Sequence, residues 1–313
     1  MADLLISTLT QGLIYALISF GVYITYSILD FPDLGVDGAF PLGAAVTALL
    51  LVNGVNPYLT LPISLAAGGL AGFVTGFIHV RLKVRNLLAG IITMTALFSI
   101  NLVIVGGSNL TVERAVDTIF TAGPSMALFG GMTLLWRKLI ISLLLVIVVK
   151  ILLDLYFKTK SGLLLRAVGD NPILVTSLAK DKGRVKILGL VISNALVSLA
   201  GCIVCHEQRS FSATMGTGQL VFGLAAVIIG VSLLDFYTSL SPIRRLRQIR
   251  PLRWLCTPQG TTAVILGSFL YKLCIQAALS LGLPANMMKL ITALLFLLVL
   301  VVSGRKGETI IHA

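Results

Sequence analysis

The sequence predicts an all-α, polytopic membrane bundle of about nine (eight to ten) transmembrane helices, and three observations predict it. Hydrophobic residues make up 57% of the 313 positions and charged residues only 12%. A soluble domain carries about 25% charged residues, and a soluble surface this apolar would aggregate, so lipid is the solvent that fits. The apolar residues also fall into runs close to the ~20 residues that a helix needs to cross ~30 Å of hydrocarbon. Finally, the basic residues sit in short clusters between those runs, as they do in the loops of membrane proteins.

In chain order the runs are about 4–29, 38–53, 57–80, 86–107, 138–157, 185–207, 219–236, 260–282 and 284–304. Nothing before Leu4 is basic, so the first run reads as a retained helix and not as a signal peptide. The second is short and follows Asp30-Phe31-Pro32-Asp33-Leu34-Gly35-Val36-Asp37-Gly38. That polar, Gly/Pro-punctuated stretch predicts a broken or re-entrant helix, because irregular backbone survives at membrane depth only against protein or a watery cavity.

With nine alternating spans, the clusters Arg81 to Arg85, Lys158 to Lys186, Arg244 to Arg253 and Arg305-Lys306 share one side. Arg114, Arg137, Lys138, Arg209 and Lys289 fall on the other, and Lys150 and Lys272 lie within spans. The heavier side is cytoplasmic by the positive-inside rule, which predicts an external N-terminus and a cytoplasmic C-terminus. A weak echo links Gly38-Ala-Phe-Pro-Leu-Gly43-Ala-Ala-Val46 to Gly218-Gln-Leu-Val-Phe-Gly223-Leu-Ala-Ala226. An odd number of spans, five, separates the two copies, as in the inverted repeats of many transporters.

Several function classes drop out. The net charge of +12 would suit a nucleic-acid surface, but the charges are dispersed among membrane loops, so no nucleic-acid partner is expected. Four cysteines (Cys202, Cys205, Cys256, Cys274) embedded in apolar sequence make no disulfide framework. Cys202-Ile-Val-Cys205-His206 matches the C-x-x-C-H pattern of haem attachment, yet it closes a membrane helix and lacks a haem-burying domain. Asn109-Leu-Thr111 matches a glycosylation acceptor by chance. Only three histidines occur (His79, His206, His312), with no paired carboxylates, metal spacing or nucleophile–base arrangement. No metal site, no resident cofactor and no enzymatic activity are expected of the chain.

The longest polar segment is Lys158 to Lys186, KTKSGLLLRAVGDNPILVTSLAKDKGRVK. It has a short amphipathic stretch and then Gly169-Asp170-Asn171-Pro172, a helix-start signal with proline in the first turn. The expectation is a short helix over about 172–180 lying parallel to the membrane; composition alone fits a lipid-anchored basic loop as well. With the following Ile187-Leu-Gly-Leu-Val-Ile-Ser-Asn194-Ala-Leu-Val-Ser-Leu-Ala-Gly201, the segment resembles the coupling region of permeases of the branched-chain amino acid and ribose ABC importer superfamily. Gly12-Leu-Ile-Tyr-Ala16, Leu29-Asp-Phe-Pro-Asp33, Val36-Asp-Gly38, Phe40-Pro-Leu-Gly-Ala44, Gly223-Leu-Ala-Ala-Val-Ile-Ile-Gly230 and Lys289-Leu-Ile-Thr-Ala293 are similar to the same superfamily. They fit best its amino-acid branch, which works with lipoprotein-type binding proteins. The similarity runs over nearly the whole chain.

The resemblance implies that 1–313 is a single transmembrane permease domain whose cytoplasmic segment, about 158–186, couples to a separate ATPase. Gly162, Arg166, Gly169, Asp170, Asn171 and Pro172 would shape or anchor the docking helix. No G-x-x-x-x-G-K-[ST] run occurs in the chain, so ATP and magnesium would be bound by partner ATPase subunits. A second permease copy and an extracytoplasmic substrate-binding (lipo)protein would complete the assembly, with lipid around it. Two positions depart from the family pattern. Val231 stands where an acidic residue is usual, and five arginines surround Pro251 in the 241–258 loop, a positive-inside anchor or a contact with anionic lipid.

The candidates for the pathway or its gate are Asp30, Asp33, Asp37, Asn101, Asn194 and Lys272. Carboxylates beside a membrane segment are costly unless they face water, and they often mark a pathway; in a cytoplasmic turn the three would simply cap a helix. Asn101 and Asn194 suit interhelical hydrogen bonds. Lys272 is mid-span and needs an acidic partner or a watery path. The rival function is an ion-gradient-driven secondary transporter, which would call for an intramembrane carboxylate.

Overall fold

The computed structural model describes residues 2–170, 181–239, 260–280 and 287–311. Asn171 and Pro172, the expected 172–180 helix and the arginine-rich 241–258 loop lie outside the described residues. In chain order the helices are α1 (Ala2–Val22), continued by a π-helical turn (Tyr23–Ile28), α2 (Val36–Val52), α3 (Pro57–Val80), α4 (Asn86–Val105), α5 (Gly123–Phe129), α6 (Leu134–Lys158), α7 (Lys160–Asp170), α8 (Lys182–Gln208), α9 (Gln219–Ser239), α10 (Gly260–Ser280) and α11 (Met288–Ile311). Among the described residues six helices are long and apolar enough to cross a membrane, and the stretches Val36–Val52, Gln219–Leu234 and Leu290–Val301 are shorter apolar helices.

Local chemistry sets the boundaries. Asn56 caps α3, its Oδ1 accepting from the Tyr58 N–H at 3.0 Å while Pro57 takes the first helical position, where its missing N–H costs nothing. Asp181 does the same for α8 through the Gly183 N–H at 2.9 Å. Gly106, at φ +75°, ends α4 in the left-handed conformation that lacks a Cβ penalty.

Helix α8 is the centre of the bundle: 78% of its apolar window is buried, against 22% for α6. The difference follows from side-chain size. Where α3 crosses α8, a Cβ on Gly68 would run into Ser198 and the Asn194 carbonyl, so the backbones approach closely, as small residues allow in membrane helices. The Ser198 hydroxyl then donates to the Ser64 carbonyl at 2.7 Å. Helices α1, α2 and α3 pack on α8; α4 packs on α2 and α3, while α10 joins α1 to α9, which carries α11. The main core gathers Leu17, Phe20, Phe31, Phe40, Val197 and Val264. Outward faces are apolar, with Leu70 68% and Val103 81% exposed, the reverse of a soluble surface and the arrangement lipid selects.

The all-α expectation needs one correction. Asn109–Thr111 and Ser210–Ser212 form a two-stranded antiparallel ribbon, Leu110 facing Phe211. The connections leaving α4 and α8 emerge side by side, and their otherwise unpaired backbone groups satisfy one another. The chance glycosylation triplet is one of these strands. Arg209 secures the same end of the molecule, its guanidinium donating to the Glu113 carbonyl at 2.8 Å and the Val116 carbonyl at 2.7 Å.

Candidate functional site

The first helix does not run straight into the second. The widened π-turn leads to a non-helical stretch, with Asp30 at φ +51°, before α2 begins at Val36. The polar run is thus non-helical, whereas α2 itself, expected to be broken or re-entrant, is one continuous helix over Val36–Val52. The three aspartates around this break have three different surroundings. Asp30 is exposed. Asp33 is fully buried: one oxygen accepts from the Gly35 N–H at 2.8 Å, and the other accepts from the Asn194 amide of α8 at 2.8 Å. Both carboxylate oxygens are therefore engaged, which is what burial of such a group demands.

Asp37 reaches further. Its two oxygens accept from the backbone N–H groups of Gly218 at 3.0 Å and Leu220 at 2.7 Å. Residue 37 opens α2, and residues 218–220 open α9, so the carboxylate of one helix start caps the other. An N-terminal turn has unpaired N–H donors and a positive dipole end, which explains the choice of an acid. The two segments of the sequence echo thus touch at their leading ends, where Gly216 also lies against the Asp37 carbonyl and Pro41. Asn101 of α4 donates to the Gly38 carbonyl at 3.3 Å. Asn101 thus ties α4 to the start of α2, and Asn194 ties α8 to the non-helical segment before it.

The polar segment after α6 begins as helix α7. Gly162 sits on the Tyr156 carbonyl and Phe157, and Gly169 on the Ile28 carbonyl and Leu29, where a Cβ has no room in either case. Arg166 lies over the Phe157 ring with its Cζ 5.0 Å from the centroid. Asp170 is the last described residue of the segment. Helix α7 is thereby seated on the end of the π-turn, immediately before the break. Gly162 and Arg166 pack the same helix against the end of α6 at Tyr156 and Phe157, Gly169 alone of the three meets the π-turn, and Asn171 and Pro172 fall outside the described residues.

Lys272 stands apart from these groups. It is in the middle of α10, with Nζ 3.5 Å from the Tyr15 ring centroid and 5.5 Å from that of Phe222. No carboxylate lies within ion-pairing distance among the described residues, whose ion pairs are Lys138–Glu207, Lys150–Asp154 and Arg184–Asp181. Sequence reasoning missed Tyr15, Phe222 and Gln219 here. Tyr15 lies within the motif Gly12 to Ala16, but nothing in a linear sequence signals that α1, α9 and α10 meet at these residues. The C-x-x-C-H triplet is buried structure: His206 Nε2 lies 2.8 Å from the Thr60 hydroxyl, and both cysteines are buried.

A sequence model of the family described as "Branched-chain amino acid transport system / permease component" matches residues 4–300. The chain is 39% identical over 293 residues to a tyrosine transport system permease protein of Clostridioides difficile, covering 94% of this chain and 89% of that one. It is 28% identical to a probable branched-chain amino acid transport permease protein of Methanocaldococcus jannaschii over 68% of this chain and 69% of the relative. A ribose import permease protein of Haemophilus influenzae is 27% identical over 73% of this chain and 68% of the relative. Among solved structures, PsaBC from Streptococcus pneumoniae in complex with Fab shares the fold at a TM-score of 0.50 and 13% identity, over 94% of this chain and 89% of that one. The chain belongs to the branched-chain amino acid transport permease family, within the ABC importer permeases that also include the ribose permeases.

Proposed function

We propose that the chain forms the translocation pathway of an ABC importer for a small polar solute, an amino acid, and is driven through α7 by a separate ATPase. One observation carries the coupling: Gly169 packs directly on the Ile28 carbonyl. A push on α7 is delivered to the end of the π-turn, and from there through residues 29–37 to the joint between α2 and α9. Stiff helices transmit such motion because packed interfaces hold discrete arrangements and do not deform continuously. The amino-acid substrate rests on the family and on the tyrosine permease relative.

In this reading the nine apolar helices all span, with the two echoing segments related as inverted halves. The N-terminus is outside and the C-terminus cytoplasmic. Two permease copies, two ATPase subunits and an extracytoplasmic binding protein complete the machine, and ATP and magnesium stay with the ATPase. Gly162, Arg166, Gly169, Asp170, Asn171 and Pro172 form the coupling element; Asp33, Asp37, Asn101 and Asn194 hold the gate, with Asp30 at its exposed edge.

The test is uptake into proteoliposomes holding the permease with its P-loop ATPase and binding protein. ATP-dependent accumulation of L-tyrosine, unaffected by ionophores, is the expected result. Accumulation that proceeds without nucleotide and collapses when the ion gradient is discharged would replace the importer with a secondary transporter.

A further inference from the structure

The ammonium of Lys272 raises a problem that the described residues do not solve. A charge at membrane depth faces the bundle interior or a watery cavity and pairs with an opposite charge. Here Nζ rests on Tyr15 at 3.5 Å, with Phe222 behind. A cation–π contact satisfies one face of the ammonium, and its N–H donors meet no hydrogen-bond or ion-pair partner among the described residues. The acidic group of α8, Glu207, is paired with Lys138 at 3.3 Å.

One helical turn before Phe222 stands Gln219, on the same face of α9. Its Nε2 donates to the Met215 carbonyl at 2.9 Å, but its buried Oε1 has no hydrogen-bond partner among the described residues. The Tyr15 hydroxyl lies beside this amide. Tyr15, Phe222 and Tyr271 meet edge to face, with centroids 5.0 and 5.1 Å apart. A cation and an acceptor, each unpaired among the described residues, and an aromatic wall are therefore brought together from three helices.

We infer that Lys272, Gln219 and the Tyr15–Phe222 wall form a way-station in the pathway for a zwitterionic amino acid with an apolar or aromatic side chain. Lys272 receives the substrate carboxylate, the Gln219 carbonyl accepts from its α-ammonium, and the aromatic rings flank its side chain. A carboxylate is the ion that an ammonium lacking a partner recognises, and the free amide oxygen orients the opposite end. Both contacts are lost when the substrate moves on, which a pathway requires. The inference rests on the importer reading and adds the substrate class and the residues that meet it.

The assay is ATP-driven uptake by the complex of permease, ATPase and binding protein in proteoliposomes, with L-tyrosine, L-leucine and D-ribose as probes. Lys272→Met is expected to lower amino-acid uptake at least tenfold, with complex yield and basal ATP hydrolysis within about twofold of wild type. Lys272→Cys, made with Cys256 and Cys274 replaced by serine, is expected to be equally impaired. Aminoethyl methanethiosulfonate, which restores an ammonium through a new disulfide as methanesulfinate leaves, is expected to recover at least a third of the uptake; the uncharged methyl reagent is expected to recover none. Unchanged uptake in Lys272→Met, equal recovery with the uncharged reagent, or no reaction of the Lys272→Cys variant with the charged one overturns the site. So does a wild-type complex that takes up D-ribose and neither amino acid. A wild-type complex without ATP-driven uptake of any probe fails earlier and brings down the importer reading itself.

Discussion

Replacing Asp37 by alanine removes the acceptor that holds the start of α9 against the start of α2. Two backbone N–H groups, at 3.0 and 2.7 Å, lose a charged partner at a half-buried position. A lost N-cap costs about 0.5–2 kcal/mol, and a hydrogen bond to a charged group contributes about 1.5–3 kcal/mol. The capping value is the lower limit, and two full charged bonds the upper one. Since the two bonds share one carboxylate, they are not additive, and the expected loss is about 3 kcal/mol. Asp37→Asn keeps one oxygen acceptor and surrenders the charge and the second oxygen, so its loss is about half as large. Dodecyl sulfate titration of the permease in mixed micelles, followed by tryptophan fluorescence, measures the ranking. The order wild type, Asp37→Asn, Asp37→Ala is the expectation. An alanine variant as stable as wild type, or an asparagine variant weaker than the alanine one, would refute the capping argument.

Gly169→Val places a branched side chain against the Ile28 carbonyl and displaces α7. Uptake is expected to fall at least tenfold while the assembled complex still hydrolyses ATP, read by comparing transport and phosphate release in the same proteoliposomes. Asn194→Ala strips one donor from the buried Asp33 carboxylate and is expected to cost about 2–3 kcal/mol in the same titration; Asp33→Asn added to it is expected to recover part of that loss. Arg137 is buried and donates to the Met132 carbonyl at 3.2 Å and to the Met126 sulfur at 3.0 Å. Arg137→Ala is expected to speed amide exchange in residues 120–133 and leave α8 unchanged, as hydrogen–deuterium exchange would show.

Much of this protein was legible before any fold. The apolar runs predicted the helices, six of them among the described residues long and apolar enough to cross a membrane and three shorter, because burial in lipid selects residues locally, one segment at a time. The break before α2 was legible for a similar reason: Pro32, Gly35 and three aspartates cannot continue an apolar helix. The polar stretch 158–186 stood out because nothing else in the chain is so long and so hydrophilic. The small additions, α5 and the ribbon of Asn109–Thr111 with Ser210–Ser212, were not legible, since each is held by neighbours far away in the chain.

What tertiary structure decided is which polar groups meet. The three aspartates look alike in the sequence, yet one is exposed, one is locked to Asn194 and one caps α9. Lys272 announced itself by its depth, but its neighbours Tyr15 and Phe222 come from the first and ninth helices. Hydropathy is a sum over adjacent residues and so survives in one dimension. A hydrogen bond or a ring contact depends on distances of a few ångströms between residues hundreds of positions apart, and only the packed bundle sets those.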